Sequence, residues 1–173
     1  MTTLITGGSK CGKSRFGERI LDLYNGQKIY IATMLPFGEE AHMAIERHRR
    51  QRQGRGFTTM EVYRDLISAE LPDNCGVLLE CLGNLCANEM FSTGKTSGAA
   101  DRIMDGIKHV AENAEELVII TNQVSSDGID YPEGTAEYIA VLLEINRRIA
   151  GLADCVIECV YGIPVLLKGE MPC

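Results

Sequence analysis

The chain has 173 residues, with 24 Asp and Glu against 17 Lys and Arg and a formal net charge of −7. An acidic balance excludes a surface built for general contact with nucleic acid, because the phosphate backbone recruits cationic proteins. At 45% hydrophobic and 24% charged residues, the composition is that of a globular protein. The length suits one domain over residues 1–173 and leaves little room for a second core.

In chain order, Thr2-Thr3-Leu4-Ile5-Thr6 is a short β-prone run that gives way to Gly7-Gly8-Ser9-Lys10-Cys11-Gly12-Lys13-Ser14 and then to helical spacing. This is G-x-x-x-x-G-K-S set between a strand and a helix, the phosphate-binding loop in the context it requires. Glycines let successive backbone N–H groups turn inward around a phosphate chain, and the helix N-terminus adds partial positive charge. Lys13 is placed to reach the β- and γ-phosphates of a nucleoside triphosphate, and Ser14 to bind Mg²⁺.

Apolar spacing predicts a helix from Lys13 to about Leu23, stopped at Asn25-Gly26, and a strand over Lys28–Thr33. A helix from about Gly38 to Gln53 follows, then an extended segment from Phe57 to Tyr63 and an apolar run over Gly76–Leu82. Helical segments near Leu85–Phe91 and Gly98–Asn113 lead to Leu117–Thr121, apolar enough for a strand buried on both faces. A helix at about Thr135–Leu152 precedes the strands Cys155–Val160 and Ile163–Lys168, joined by a turn at Gly162.

Strands alternating with helices imply an α/β fold: a mostly parallel central sheet, helices on both faces and an antiparallel edge at the C-terminus. With the loop at its head, this is the P-loop NTPase type, with ligands at the carboxyl ends of the strands. The long loop Asn122–Glu133 has the length of a lid or a subunit contact. Apolar stretches all fall short of the roughly 18 residues of a membrane span, and the opening residues lack signal-peptide character, so a cytoplasmic protein is expected. Seven cysteines without a C-x-x-C pair suggest reduced core thiols rather than disulfides or zinc.

Two features carry further chemistry. Glu80 follows Val77-Leu78-Leu79 near a strand end, where P-loop proteins place the acid that holds Mg²⁺. A salt bridge at the strand terminus is the structural alternative. Between Arg47 and Arg55 stand five arginines in nine residues, with His48 among them. The bland reading is a solvated helix end opposing its dipole. The functional one matches guanidinium groups to polyphosphate oxygens, with a neutral imidazole able to attack an α-phosphate and displace pyrophosphate.

Together these residues resemble the bifunctional adenosylcobinamide kinase/adenosylcobinamide-phosphate guanylyltransferase family of cobalamin biosynthesis. The resemblance lies in Leu4–Arg15, Tyr30-Ile31-Ala32-Thr33, Ile45-Glu46-Arg47-His48-Arg49, Leu78-Leu79-Glu80-Cys81 and Thr121-Asn122-Gln123-Val124, over nearly the whole chain. It implies phosphorylation of a cobinamide alcohol by GTP or ATP, then transfer of GMP from GTP to the new phosphate through a guanylyl-histidine. By the same resemblance His48 is the nucleophile and Arg49, Arg50, Gln51 and Arg52 line the triphosphate. Thr33, Met34 and Leu35 enter the nucleotide site, Glu61 and Glu80 complete it, and the protein forms a homo-oligomer. The family usually has Glu where this chain has Gln123 and Gly where it has Ser125, and its Arg-x-Phe-Arg-Asp stretch stands here as Ala136-Glu137-Tyr138-Ile139-Ala140. A P-loop kinase for another small alcohol or nucleoside, and a diverged GTP- or ATP-binding paralogue without turnover, stay open as alternatives.

Overall fold

A computed structural model of the chain describes residues 1–92, 96–124 and 131–172. Among them seven strands form one sheet: β1 (Thr2–Gly7), β2 (Gln27–Ala32), β3 (Phe57–Glu61), β4 (Cys75–Glu80), β5 (Glu116–Ile120), β6 (Cys155–Val160) and β7 (Ile163–Lys168). The helices are α1 (Lys13–Asp22), α2 (Gly38–Arg52), α3 (Leu82–Phe91), α4 (Ala99–Asn113) and α5 (Glu133–Leu152). The strand order is β3-β2-β4-β5-β1-β6-β7, parallel throughout except for β7, which returns antiparallel to β6. The mostly parallel α/β architecture with an antiparallel C-terminal edge is therefore the one the sequence pattern implies.

Successive strand side chains point to opposite faces, and here the alternation divides the core in two. Leu4, Ile29, Ile31, Val77, Leu79, Leu117, Ile119 and Val156 join residues of α3, α4 and α5 in one cluster. Ile5, Tyr30, Leu78, Val118, Ile120 and Cys159 face the other side, against Ile20 and Leu21 of α1. Helix α1 lies close because residue 17 is glycine: a Cβ there would stand 3.0 Å from Ile120 Cδ1 and 3.1 Å from Leu78 Cδ1. Strands sandwiched in this way need apolar residues at consecutive positions, which is why β4 and β5 read as continuous hydrophobic runs.

Two local expectations shift. The run Gly76–Leu82 splits, with β4 ending at Glu80 and α3 starting at Leu82, three residues before the predicted helix. Leu82 is fully buried as a helical residue, so hydrophobicity continues across the boundary and cannot mark it. A 3-10 turn at Leu66–Ser68 is too short to leave a periodic signal. Of the loop Asn122–Glu133, residues 125–130 lie outside the described residues. Cys11, Cys75, Cys81, Cys86, Cys155 and Cys159 are free thiols, four of them buried. No helix among the described residues is long and apolar enough to cross a membrane.

Candidate active site

The loop after β1 is shaped by its neighbours. Gly7 has φ +141°, and a Cβ there would stand 2.5 Å from the Cys159 carbonyl oxygen, so only glycine lets β1 pass β6 at this point. Gly12, at φ +99°, precedes the first turn of α1. The Gln123 N–H donates to Gly7 O at 3.0 Å and the Gly162 N–H to Cys11 O at 2.9 Å, tying the loop to the chain beyond β5 and to the β6–β7 turn. Lys13 is buried and its ammonium donates to Gly7 O at 3.0 Å and Gly8 O at 2.6 Å. Gly8, Ser9, Lys10 and Cys11 complete the loop, Lys10 with φ 57°.

One strand separates β1 from β4 in the sheet, and the C-terminal end of β4 delivers Glu80 to the loop. Ser14 Oγ donates to Glu80 Oε1. The other oxygen, Oε2, is buried without a partner. His48 of α2 comes to the same carboxylate, with Nδ1 3.7 Å from Oε1 and itself buried without a hydrogen-bond partner. Thr33 holds this corner: its hydroxyl accepts the Cys81 N–H at 2.7 Å and lies 2.8 Å from Cys81 O. Asn88 Nδ2 in turn donates to Thr33 O at 2.8 Å and Tyr63 O at 3.0 Å.

Helical spacing decides which residues of the basic segment enter the cleft. Ile45, His48, Arg49 and Arg52 share one face of α2 at i, i+3, i+4 and i+7, and all four line the cleft with Tyr30, Thr33, Met34, Glu61 and Glu80. Arg50 and Gln51 belong to a different face, alongside Met43 and Arg47, and are not brought to it. Leu35 is exposed and also outside the lining. Arg52 is buried with its guanidinium carbon 3.2 Å from the centre of the Tyr30 ring, and its Nη1 has no hydrogen-bond partner. Burial, and then the Glu80 charge, push the Tyr30 hydroxyl pKa well above its ordinary value.

The dense positive patch of the sequence contracts in the fold. Arg49 pairs with Glu46 at 3.1 Å and Glu61 at 3.6 Å, while Tyr63 donates to Glu61 at 2.8 Å. Arg55 turns to α1, where it binds Glu18 and Asp22. What faces the cleft is Arg49 and Arg52 around His48. Tyr63 and Asn88 belong to the site's making and carried no functional signal in sequence, whereas Tyr30 and Ile45 stood in the segments that bear the family resemblance without a role of their own.

Three of the six buried side-chain atoms without a hydrogen bond among the described residues, His48 Nδ1, Arg52 Nη1 and Glu80 Oε2, belong to residues lining this one cleft. Buried polar atoms are ordinarily satisfied, so the cluster marks a place prepared for a polar ligand. The described residues hold no group of three His, Cys, Asp or Glu side chains able to bind a metal by themselves. A hydroxyl and one carboxylate with a spare oxygen do suit Mg²⁺, which takes few protein ligands and completes its octahedron with phosphate oxygens and water.

Strand, phosphate loop, helix and an acid at a neighbouring strand end define a P-loop nucleotide-binding protein. The family model described as "Cobinamide kinase / cobinamide phosphate guanyltransferase", CobU, matches residues 3–167, and the chain belongs to that family. The chain is 28% identical to the bifunctional adenosylcobalamin biosynthesis protein CobU of Salmonella typhimurium, over 97% of its own length and 100% of the relative's. It is likewise 28% identical to the CobU protein of Escherichia coli, over 97% and 100%. Identity to the bifunctional adenosylcobalamin biosynthesis protein CobP of Pseudomonas aeruginosa is 24%, over 98% and 99%.

Proposed function

We propose that this chain is a bifunctional enzyme that phosphorylates a cobinamide alcohol with a nucleoside triphosphate and then transfers GMP from GTP to the cobinamide phosphate. The observation that carries the second activity is the contact chain from the phosphate loop through Ser14 and Glu80 to the unpartnered His48 Nδ1. The Glu80 carboxylate on the Nδ1 side of the ring, 3.7 Å away, favours the proton on Nδ1 and leaves Nε2 as the nucleophile. Its lone pair attacks the α-phosphorus of GTP, the bond to the bridging oxygen breaks, and the electron pair leaves on pyrophosphate. A cobinamide phosphate oxygen then attacks the same phosphorus and the P–N bond breaks, restoring neutral His48.

Arg49 and Arg52 line the same cleft as His48, and their guanidinium groups would offset charge on the α-phosphate as it is transferred. Lys13 and the loop amides take the β- and γ-phosphates in both reactions. Ser14 and Glu80 would hold Mg²⁺, which when bound neutralises charge on the phosphate oxygens. Assembly into a homo-oligomer belongs to the same proposal, and the exposed Phe37, just before α2, and Met43, on α2, are apolar residues such a contact would cover. Ala136–Ala140, where the family motif is altered, lies in the first turns of α5 and lines neither the His48 cleft nor the phosphate loop.

Incubation with α-labelled GTP followed by denaturation is expected to leave acid-labile, alkali-stable radioactivity on the wild-type protein and none on His48→Ala. Wild-type protein that binds GTP without taking up label would overturn the guanylyltransferase half of the reading.

A further inference from the structure

The two proposed reactions ask opposite things of one phosphate loop. In the kinase step an acceptor oxygen attacks the γ-phosphorus and the nucleoside diphosphate leaves with the electron pair, so the γ-phosphate must lie at the Ser14–Glu80 end of the loop, where the metal joining β- and γ-oxygens is held. His48 is at that same end, with Nδ1 3.7 Å from Glu80 Oε1. A triphosphate bound in this sense shows His48 its γ-phosphate. The α-phosphorus reaches His48 only if the nucleotide crosses the loop the other way, with guanosine in the cleft lined by Tyr30, Met34 and Ile45. A kinase donor must then carry its base out over the opposite end of the loop.

A second cleft lies there. It is bounded by Gly8–Gly12, by Gln123, by Glu158 of β6 and by the β6–β7 turn. Tyr161 stands at its edge, almost fully exposed, with φ 50°. The turn that carries this ring is fastened to the phosphate loop by the Gly162 N–H to Cys11 O bond of 2.9 Å, and Gly12 packs directly against Gly162. Lys10 lines the same cleft and supplies a cation on the side where an α-phosphate would emerge. An exposed aromatic ring carried on a turn tied to a phosphate cradle suits the stacking of a nucleobase without reading its edge. This suits a kinase step in which ATP and GTP can both serve.

Resting on the functional reading above, we infer that the purine of the kinase donor stacks on Tyr161, so that two nucleotide subsites of opposite polarity share a single phosphate loop. The subsites overlap at the phosphates, and the two reactions therefore alternate. Photolabelling of the wild-type protein with 8-azido-ATP, followed by peptide mapping, is expected to mark the segment 158–162. Label confined to the segments 30–34 and 45–52 would overturn the inference. In kinetics, Tyr161→Ala is expected to raise the donor KM of cobinamide phosphorylation about tenfold, Tyr161→Phe to restore it, and guanylylation of His48 by GTP to proceed at the wild-type rate. An unchanged KM in Tyr161→Ala, or equal loss of both activities, would refute it. Absence of both activities from the wild type would remove the functional reading, while the photolabel still reports where the donor base sits.

Discussion

At Arg55 a residue that looks like part of a triphosphate site in sequence proves to serve the fold. Its guanidinium binds the buried Glu18 and the half-exposed Asp22, both on α1. The two carboxyls respond in opposite directions. Burial outweighs Arg55 at Glu18 and raises its pKa, whereas the Arg55 hydrogen bond prevails over partial burial at Asp22 and lowers its pKa. The share of stability linked to Glu18 is present below its ordinary value of 4.5 and lost as pH rises through its folded value. The Asp22 share is present above 3.8 and lost as pH falls through its own, lower, folded value. Removing the cation leaves Glu18 buried and uncompensated, so Arg55→Ala should lose about 2–4 kcal/mol at pH 7. The deficit should narrow toward pH 4, where Glu18 takes up its proton. Urea midpoints for both proteins at pH 7, 5 and 4 check this, and a deficit constant across the range would contradict it.

Helices α1 and α2 illustrate two ways of meeting the same sheet. The first buries Lys13, Gly17, Glu18, Ile20 and Leu21, the second only Arg52. Gly17 sets the close approach of α1 and with it the placing of Lys13 and Ser14 one turn earlier. Gly17→Val would push a branched side chain into Ile120, Leu78 and Val118. It should cost about 1–3 kcal/mol by overpacking and lower nucleotide affinity through displacement of the loop. Denaturant unfolding and nucleotide titration together test that pairing, and a variant as stable as the wild type would show that the helix has room to move. The positions of both helices were legible in sequence. Their roles were legible only for α1, because its motif is contiguous with the loop it serves, whereas α2 reaches the site through a face chosen by its rotation.

Across the whole molecule, the parallel sheet brings the carboxyl ends of β1, β2 and β4 together, so Ser14, Thr33 and His48 all meet Glu80 although they are far apart in the chain. A nucleotide bound there links the loop of β1 with the acid of β4 and the face of α2 and should stabilise the domain as a unit. At a GTP concentration a hundred times Kd, the gain is about 2.7 kcal/mol, read as a rise in Tm of several degrees. Measured against its own melting temperature without nucleotide, Lys13→Ala should lose most of that rise. A rise of equal size in Lys13→Ala would show that GTP binds away from the phosphate loop.

By itself the sequence determined what depends on neighbouring residues: the phosphate loop, the alternation of strand and helix, the buried runs of β4 and β5, and the identity of the histidine segment. Each is written in a contiguous pattern whose physical requirement is local, whether φ beyond the reach of most side chains, a period of repeat or an unbroken apolar stretch. Only the tertiary structure decided which of the clustered arginines face the cleft, that Arg55 neutralises Glu18 and Asp22, that Arg52 lies on the Tyr30 ring, and that Tyr161 stands beside the loop. The cause is geometric. A helix distributes adjacent residues around its axis, and the strand order sets which distant ends become neighbours. The chain's net charge of −7 therefore hides a small cationic face whose composition only the rotation of α2 against the sheet could settle.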